Sequence, residues 1–158
     1  MTPVIRSAKK EDMPSVLELI KELAVFEKEP DAVTIDARTL EEEGFGSQPL
    51  FHCFVAQVEN EIIGMALVYY RFSTWKGRSL HLEDLIVKKS HRGTGAGRAL
   101  YKKVIGFAYQ NHLERVEWVV LDWNDHAIDF YERSGAEILR DWHLVQMDRE
   151  KMKAYLNR

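Results

Sequence analysis

Apolar and polar positions change period along the chain, and each change marks an element. Val4-Ile5-Arg6 reads as a short strand; after it Met13, Val16, Leu17, Ile20, Leu23 and Ala24 fall at helical spacing, with Asp12 and Pro14 suited to the first turn. Thr34 is the expected N-cap of a short second helix that Gly44 or Gly46 ends. Phe51 to Val58 is strand-like, Glu59-Asn60-Glu61 turns, and the β-branched and aromatic run Ile62 to Phe72 completes a hairpin. Beyond a loop with Trp75, Lys76 and Gly77, Ser79 to Val87 predicts a third long strand. A Gly-rich loop, Arg92 to Gly97, then precedes a helix whose core face is Leu100, Val104, Phe107 and Ala108. Arg115 to Leu121 predicts a strand, Asp125 to Ser134 a short helix stopped by Gly135, and Glu137 to Asp148 a last strand region. The order β-α-α-β-β-β-α-β-α-β joins a hairpin-built antiparallel half to a βαβ unit, which is α/β in class, an α+β arrangement with a mixed sheet.

Composition narrows the classes. With 158 residues, 46% of them hydrophobic and 30% charged, the chain is globular in type, and no repeat or linker divides it, so one domain over 1–158 is expected. The lone Cys53 excludes an internal disulfide framework and a Cys-based zinc finger. No signal-like start and no run of 18 apolar residues is found, so the expected compartment is the cytoplasm and no membrane partner is expected. A net charge of −3 argues against nucleic acid and favours cationic partners.

Two segments carry chemistry. Arg92-Gly93-Thr94-Gly95-Ala96-Gly97-Arg98 lies between a strand and a helix, where free N–H groups and the helix dipole make an anion site. A dinucleotide fingerprint counted from Gly93 needs glycine where Arg98 stands, and no Gly-Lys-Ser/Thr of a Walker loop is present. The segment matches Arg-x-x-Gly-x-Gly through Arg92, Gly95 and Gly97; from spacing alone, a phosphate cradle and an ordinary Gly-rich turn both stand. Glu83 and Asp84 break the alternation of the third long strand, and adjacent carboxylates in an apolar strand are costly unless something needs them. Consecutive strand residues face opposite ways, so the two share a site only across a bulge or splay; otherwise they are solvated edge charges. The six histidines, His52, His81, His91, His112, His126 and His143, are scattered without metal-ligand spacing, and no metal is expected.

Added together, these segments resemble the GNAT N-acetyltransferases, whose acetyl-CoA pyrophosphate loop has the Arg/Gln-x-x-Gly-x-Gly/Ala pattern. Leu19-Ile-Lys-Glu-Leu-Ala24, Phe26-Glu27-Lys28, Gly44-Phe-Gly46, Phe51-His-Cys53, Ser73-Thr-Trp-Lys-Gly-Arg78, Leu82-Glu-Asp84, Leu121-Asp-Trp-Asn124 and Phe130-Tyr131 are similar to the diamine acetyltransferase branch, most of all its thialysine N-acetyltransferase members. The likeness runs from about Ile5 to Tyr131; the last strand and helix are less distinctive. It implies an acyl-CoA N-acyltransferase fold with a central mixed sheet and helices on both faces, acetyl-CoA between two splayed strands, coenzyme A as product, and a homodimer. It also implies that Leu85, Ile86 and Val87 meet the cofactor through their backbone, that Arg92, Gly93, Thr94, Gly95, Ala96, Gly97 and Arg98 hold its pyrophosphate, and that Asn124, Asp125, His126 and Tyr131 touch it. Phe26, Glu27, Trp75, Glu83 and Asp84 match the acceptor site.

The implied roles make chemical sense. An alkylammonium of pKa about 10.4 must lose a proton before attacking a thioester, and Glu83 is implied as the base acting through water. A phenol near the sulfur can protonate a leaving thiolate whose thiol has pKa about 8.5, the role implied for Tyr131. From spacing alone Tyr131 equally anchors an amphipathic helix, His126 is equally an exposed first-turn residue, and Arg98, Lys102 and Lys103 are equally a solvated helix face. Cys53 sits mid-strand without an activating partner, so direct transfer in a ternary complex is expected rather than an acyl-enzyme. Polyamine acetylators carry an acid where this chain has Ser73, so short primary amines such as thialysine or lysine-like molecules are expected over spermidine and spermine. The rivals are a polyamine acceptor, a protein or peptide amine, and a cofactor-binding sensor without turnover; the presence of both Glu83 and Tyr131 counts against the last.

Overall fold

The computed structural model describes residues 1–158, which divide into two compact units, Met1–Val119 and Val120–Arg158. The first contains β1 (Val4–Ser7), α1 (Met13–Phe26), α2 (Ala37–Phe45), β2 (His52–Val58), β3 (Glu61–Ser73), β4 (Gly77–Val87), α3 (Ala96–Gln110) and β5 (Arg115–Glu117). The second contains α4 (Asp125–Arg133) and α5 (Arg149–Leu156). The sheet runs in the order β1-β2-β3-β4-β5, antiparallel except for the parallel pair β4–β5. It is the expected mixed sheet, with helices on both faces.

Period-2 alternation sorts the strand residues between two cores. On one face Met13, Val16, Leu17 and Leu19 of α1 and Leu40 of α2 pack on Cys53, Val55, Met65, Leu67 and Ile86. On the other, Leu100, Val104 and Ala108 of α3 pack on Phe54, Ala56, Ala66, Val68, Leu80 and Leu82. Because both faces are covered, the central strands read as nearly continuous apolar runs.

Local chemistry explains the element ends. Pro14 sits in the first turn of α1, as expected. The expected N-cap Thr34 is not the one used; the Asp36 side chain accepts from the Thr39 N–H at 2.8 Å and starts α2. A carboxylate caps strongly because it accepts a charge-assisted bond, and here it also takes the Thr39 hydroxyl at 2.8 Å. Gly135, at φ +95, stops α4. Two strand expectations are corrected. β5 ends at Glu117 rather than Leu121, and Glu137 to Asp148 carries no strand. A strand exists only where a neighbour supplies the ladder, and β5 pairs only Arg115–Glu117 with Ser79–His81, while Val120–Arg158 taken by itself holds no strand.

Candidate active site

Glu83 sits on a β-bulge. Along the β3–β4 hairpin Tyr69 faces His81 and Val68 faces Leu82, but the next pair is Leu67 with Asp84, so Glu83 is the extra residue in β4. The bulge resets the alternation. Asp84 joins the face of Leu67 and Ile86, the same face that His81 reaches opposite Tyr69, and the adjacent carboxylates of Glu83 and Asp84 are delivered to one side of the sheet. This is the condition under which the pair can form a site.

The electrostatics of that side are acidic. Burial, then the charge of Glu83, then that of Glu27 push the Asp84 carboxyl up to about 7. Glu27 caps the C-terminal end of α1, and partial desolvation raises its own carboxyl. Three carboxylates therefore act on one region, with one of them poised to change charge near neutrality. Glu83 itself is half exposed, accepting from Tyr69 Oη at 2.9 Å. Burial, and then this carboxylate, push the Tyr69 phenol up to about 12. His81, Tyr69 and Arg71 around Glu83 were not anticipated from sequence, although strand period places residues 69 and 71 on one face and 81 and 83 on another that pairs with it.

After β4 the chain makes the second half of the site. β5 leaves β4 after His81, so within Met1–Val119 the edge of β4 over Leu82–Val87 faces no strand on that side. Leu85, Ile86 and Val87, the residues implied to meet the cofactor, lie along this unpaired edge. Gly93 and Gly95 take left-handed conformations, φ +80 and +88, and an added Cβ at either meets nothing within 4 Å. Gly95 is the N-cap of α3 and has no side chain to cap it, so the N-cap residue leaves the first-turn N–H groups of Ala96, Gly97 and Arg98 available to another acceptor. An uncapped helix start, a lining without side chains and an unpaired strand edge fit an anionic diphosphate carried on an extended amide chain.

Arg92 has a structural hold as well as a charge. Its guanidinium lies 5.2 Å from the Phe26 ring centroid, Nε donates to the Val87 carbonyl at 3.3 Å, and Nη2 is 4.0 Å from Glu22. The Glu22 carboxylate also accepts the Lys89 N–H at 2.7 Å. Glu22, another residue not anticipated from sequence, thus ties the end of α1 to the loop before α3, bringing Phe26 beside Arg92. Thr94 turns inward, donating from Oγ1 to the His91 carbonyl at 2.7 Å.

Trp75 lies elsewhere in the unit. It tips the three-residue turn Thr74–Lys76, 81% exposed, where the Ser73 Oγ accepts from the N–H groups of Trp75 and Lys76 at 3.2 and 3.1 Å. Gly77, at φ +98, closes that turn. Glu83 lies six residue steps along the strand from Gly77, roughly 20 Å at about 3.3 Å per residue, so Met1–Val119 does not bring Trp75 to the carboxylates. Cys53 is buried, and burial followed by the charges of Asp12 and Asp84 pushes its thiol up to about 12, which leaves no thiolate for covalent catalysis.

In Val120–Arg158, Asn124 caps α4 by accepting from the Ala127 N–H at 3.3 Å, with Asp125 and His126 in the first turn. Tyr131 lies two turns on, its ring edge-to-face with Phe130 at 5.6 Å. The Tyr131 carbonyl accepts from the Ser134 hydroxyl at 2.6 Å.

Comparison with known proteins identifies the family. The model of the acetyltransferase (GNAT) family matches residues 13–136. The thialysine N-epsilon-acetyltransferase of Bos taurus is 38% identical over 161 residues, covering 95% of each chain. The spermidine/spermine N(1)-acetyltransferase-like protein 1 of Homo sapiens is 34% identical over 94% of this chain and 23% of its own. Among solved structures, an integron cassette protein from the mobile metagenome of V. cholerae superimposes with a TM-score of 0.81 at 20% identity, covering 100% of this chain and 99% of that one, a likeness of fold alone. The chain belongs to the acetyltransferase (GNAT) family and is an N-acetyltransferase.

Proposed function

We propose that the chain transfers an acetyl group from acetyl-CoA to the primary amine of a short, lysine-like molecule by direct transfer in a ternary complex. The observation that carries the acceptor reading is the bulge, which gives Glu83 and Asp84 one face, with Glu27 acting on the same region. Three carboxylates suit an ammonium group, and an arriving cation favours the ionised form of Asp84. Glu83 takes the proton that the ammonium must lose, directly or through water. The high identity to a thialysine N-epsilon-acetyltransferase supports the same class of acceptor, and Ser73, bonded back to its own turn, offers no charge for the far end of a polyamine.

Acetyl-CoA, when bound, supplies the activated thioester. The residues that would hold it are Arg92 to Arg98 at the start of α3, with the open edge of Leu85 to Val87, and Asn124, Asp125 and His126 on α4. Tyr131 Oη is the proton donor in this reading, following the resemblance of Phe130-Tyr131 to the family pattern. The same reading takes residues 1–158 as one domain, since the family match crosses the boundary between the two units. It further takes the active form to be a cytoplasmic homodimer; no helix is long and apolar enough to cross a membrane. Thiol release from acetyl-CoA with and without amine tests the reaction. Release that needs a small amine, with the acetylated amine found by mass spectrometry, supports it. Tight cofactor binding without release on any amine or peptide would favour a sensor.

A further inference from the structure

The carboxylate of Glu83 is held by neighbours whose arrangement its role as a base leaves unexplained. Tyr69 Oη donates to Glu83 Oε2 at 2.9 Å, and His81 Nε2 lies 3.3 Å from the same oxygen. On the far side of the imidazole, Arg71 Nη1 is 3.2 Å from His81 Nδ1 and 2.7 Å from Glu117 Oε1. Arg115 Nη2 is 3.1 Å from Glu117 Oε2 and closes the chain of contacts. A guanidinium has only donors, so His81 Nδ1 must present its lone pair to Arg71, and the proton of the neutral ring must be on Nε2, facing Glu83. The Tyr69 ring, 5.0 Å from the imidazole, braces it.

The charged and titratable groups facing His81 are Glu83 on its own strand, Tyr69 and Arg71 on β3, and Glu117 on β5. Burial holds the imidazole below its ordinary pKa, outweighing the Glu83 charge that opposes this. The ring is almost covered, with 12% of its side chain exposed against 49% for Glu83.

We propose that Tyr69 and His81 clamp Oε2 of Glu83, with Arg71 fixing the His81 tautomer, so that Oε1 is the oxygen that receives the proton of the acceptor amine. The inference rests on the reading of Glu83 as the base. Oε2 accepts the Tyr69 hydroxyl and has the His81 Nε2 3.3 Å away, so both neighbours engage the same oxygen and Oε1 is the one left to the acceptor. The proton passes from the ammonium, directly or through one water, to Oε1; no covalent bond to carbon is made at Glu83. Tyr69 and His81 are positioning residues. They fix which carboxylate oxygen is engaged by the protein and which is presented to the amine.

The tautomer is read directly by ¹⁵N NMR of the full-length protein, the His81 signal being identified by its loss in His81→Gln. An Nε2–H ring is expected, and an Nδ1–H ring overturns the clamp. In Tyr69→Phe and His81→Phe kcat falls roughly tenfold with KM for acetyl-CoA unchanged, and His81→Gln, whose amide can donate from the Nε2 position, recovers most of the loss. Wild-type kcat in both Phe variants, or a loss in His81→Gln as large as in His81→Phe, overturns the clamp. Full activity of Glu83→Gln overturns the base reading itself, and with it the part given to the clamp.

Discussion

Replacing Asp84 by Asn removes a buried carboxyl whose charge the fold resists. In the folded chain this group titrates near 7, against an ordinary value of 3.8. A shift of that size corresponds to about 4 kcal/mol, at about 1.4 kcal/mol per pH unit. The sign follows from proton uptake. Between pH 4 and 7 the folded chain keeps a proton on Asp84 that the unfolded chain has lost, so this group contributes a loss of stability as pH rises through that window. Below pH 4 both states are protonated and the contribution vanishes; above pH 7 the full cost is present. Asp84→Asn is neutral at every pH, so it should match wild type near pH 4 and be more stable by up to about 4 kcal/mol at pH 8.5. In a chain of this size that is on the order of 10 °C in Tm, at about 2–4 °C per kcal/mol. Urea unfolding of both proteins at the two pH values measures it. Parallel stability curves for the two proteins would refute the burial argument. The same substitution should weaken the amine KM, because the neutral amide no longer pairs with the ammonium.

Three further outcomes are expected. Gly95→Ala and Gly135→Ala each place a side chain at a strongly positive φ with no neighbour within 4 Å, so each loses about 1–2 kcal/mol in thermal unfolding. Only Gly95→Ala should weaken coenzyme A binding in calorimetry, by tenfold or more; equal affinities would remove the loop from the cofactor site. Tyr131→Phe should lower kcat by about 10²–10⁴ with coenzyme A affinity nearly unchanged, provided chemistry limits the rate, and wild-type kcat would take the acid role from Tyr131. Asp12→Ala breaks the Arg6 ion pair at 2.7 and 3.1 Å and the bond from the Lys9 N–H at 2.7 Å, so urea unfolding at pH 7 should show a loss of roughly 2 kcal/mol. That contribution should shrink as pH falls through the carboxylate range, since Arg6 holds the Asp12 carboxyl below its ordinary value.

What the sequence made legible follows from how local each signal is. The Glu83-Asp84 pair broke the alternation visibly, but whether a bulge, a splay or a pair of solvated edge charges resolved it was left to the register, which shows the bulge. The Gly-rich loop announced the uncapped start of α3, because its glycines are needed at φ +80 and +88. Thr34 was expected as the cap of α2, but Asp36 caps it, its carboxylate accepting from both the N–H and the hydroxyl of Thr39. Tyr69, His81 and Arg71 were missed for a different reason. Each is ordinary within its own strand, and their convergence on Glu83 depends on the register set by the Thr74–Lys76 turn some distance away. Glu22 was likewise unremarkable on α1 until the fold placed it under the Lys89 amide. The run from Glu137 to Asp148 has strand-like composition, but composition cannot supply a neighbouring strand.

The central claim is that the carboxylates gathered by the β4 bulge serve a short ammonium acceptor. It is tested most directly by steady-state coenzyme A release with acetyl-CoA and a panel of thialysine, lysine, ornithine, spermidine, spermine and a lysine-containing peptide, each run with wild type and Glu83→Gln. The account predicts the highest kcat/KM for thialysine or another short lysine-like amine and a large loss with Glu83→Gln. Highest kcat/KM for spermine or the peptide, or undiminished turnover in Glu83→Gln, would contradict it.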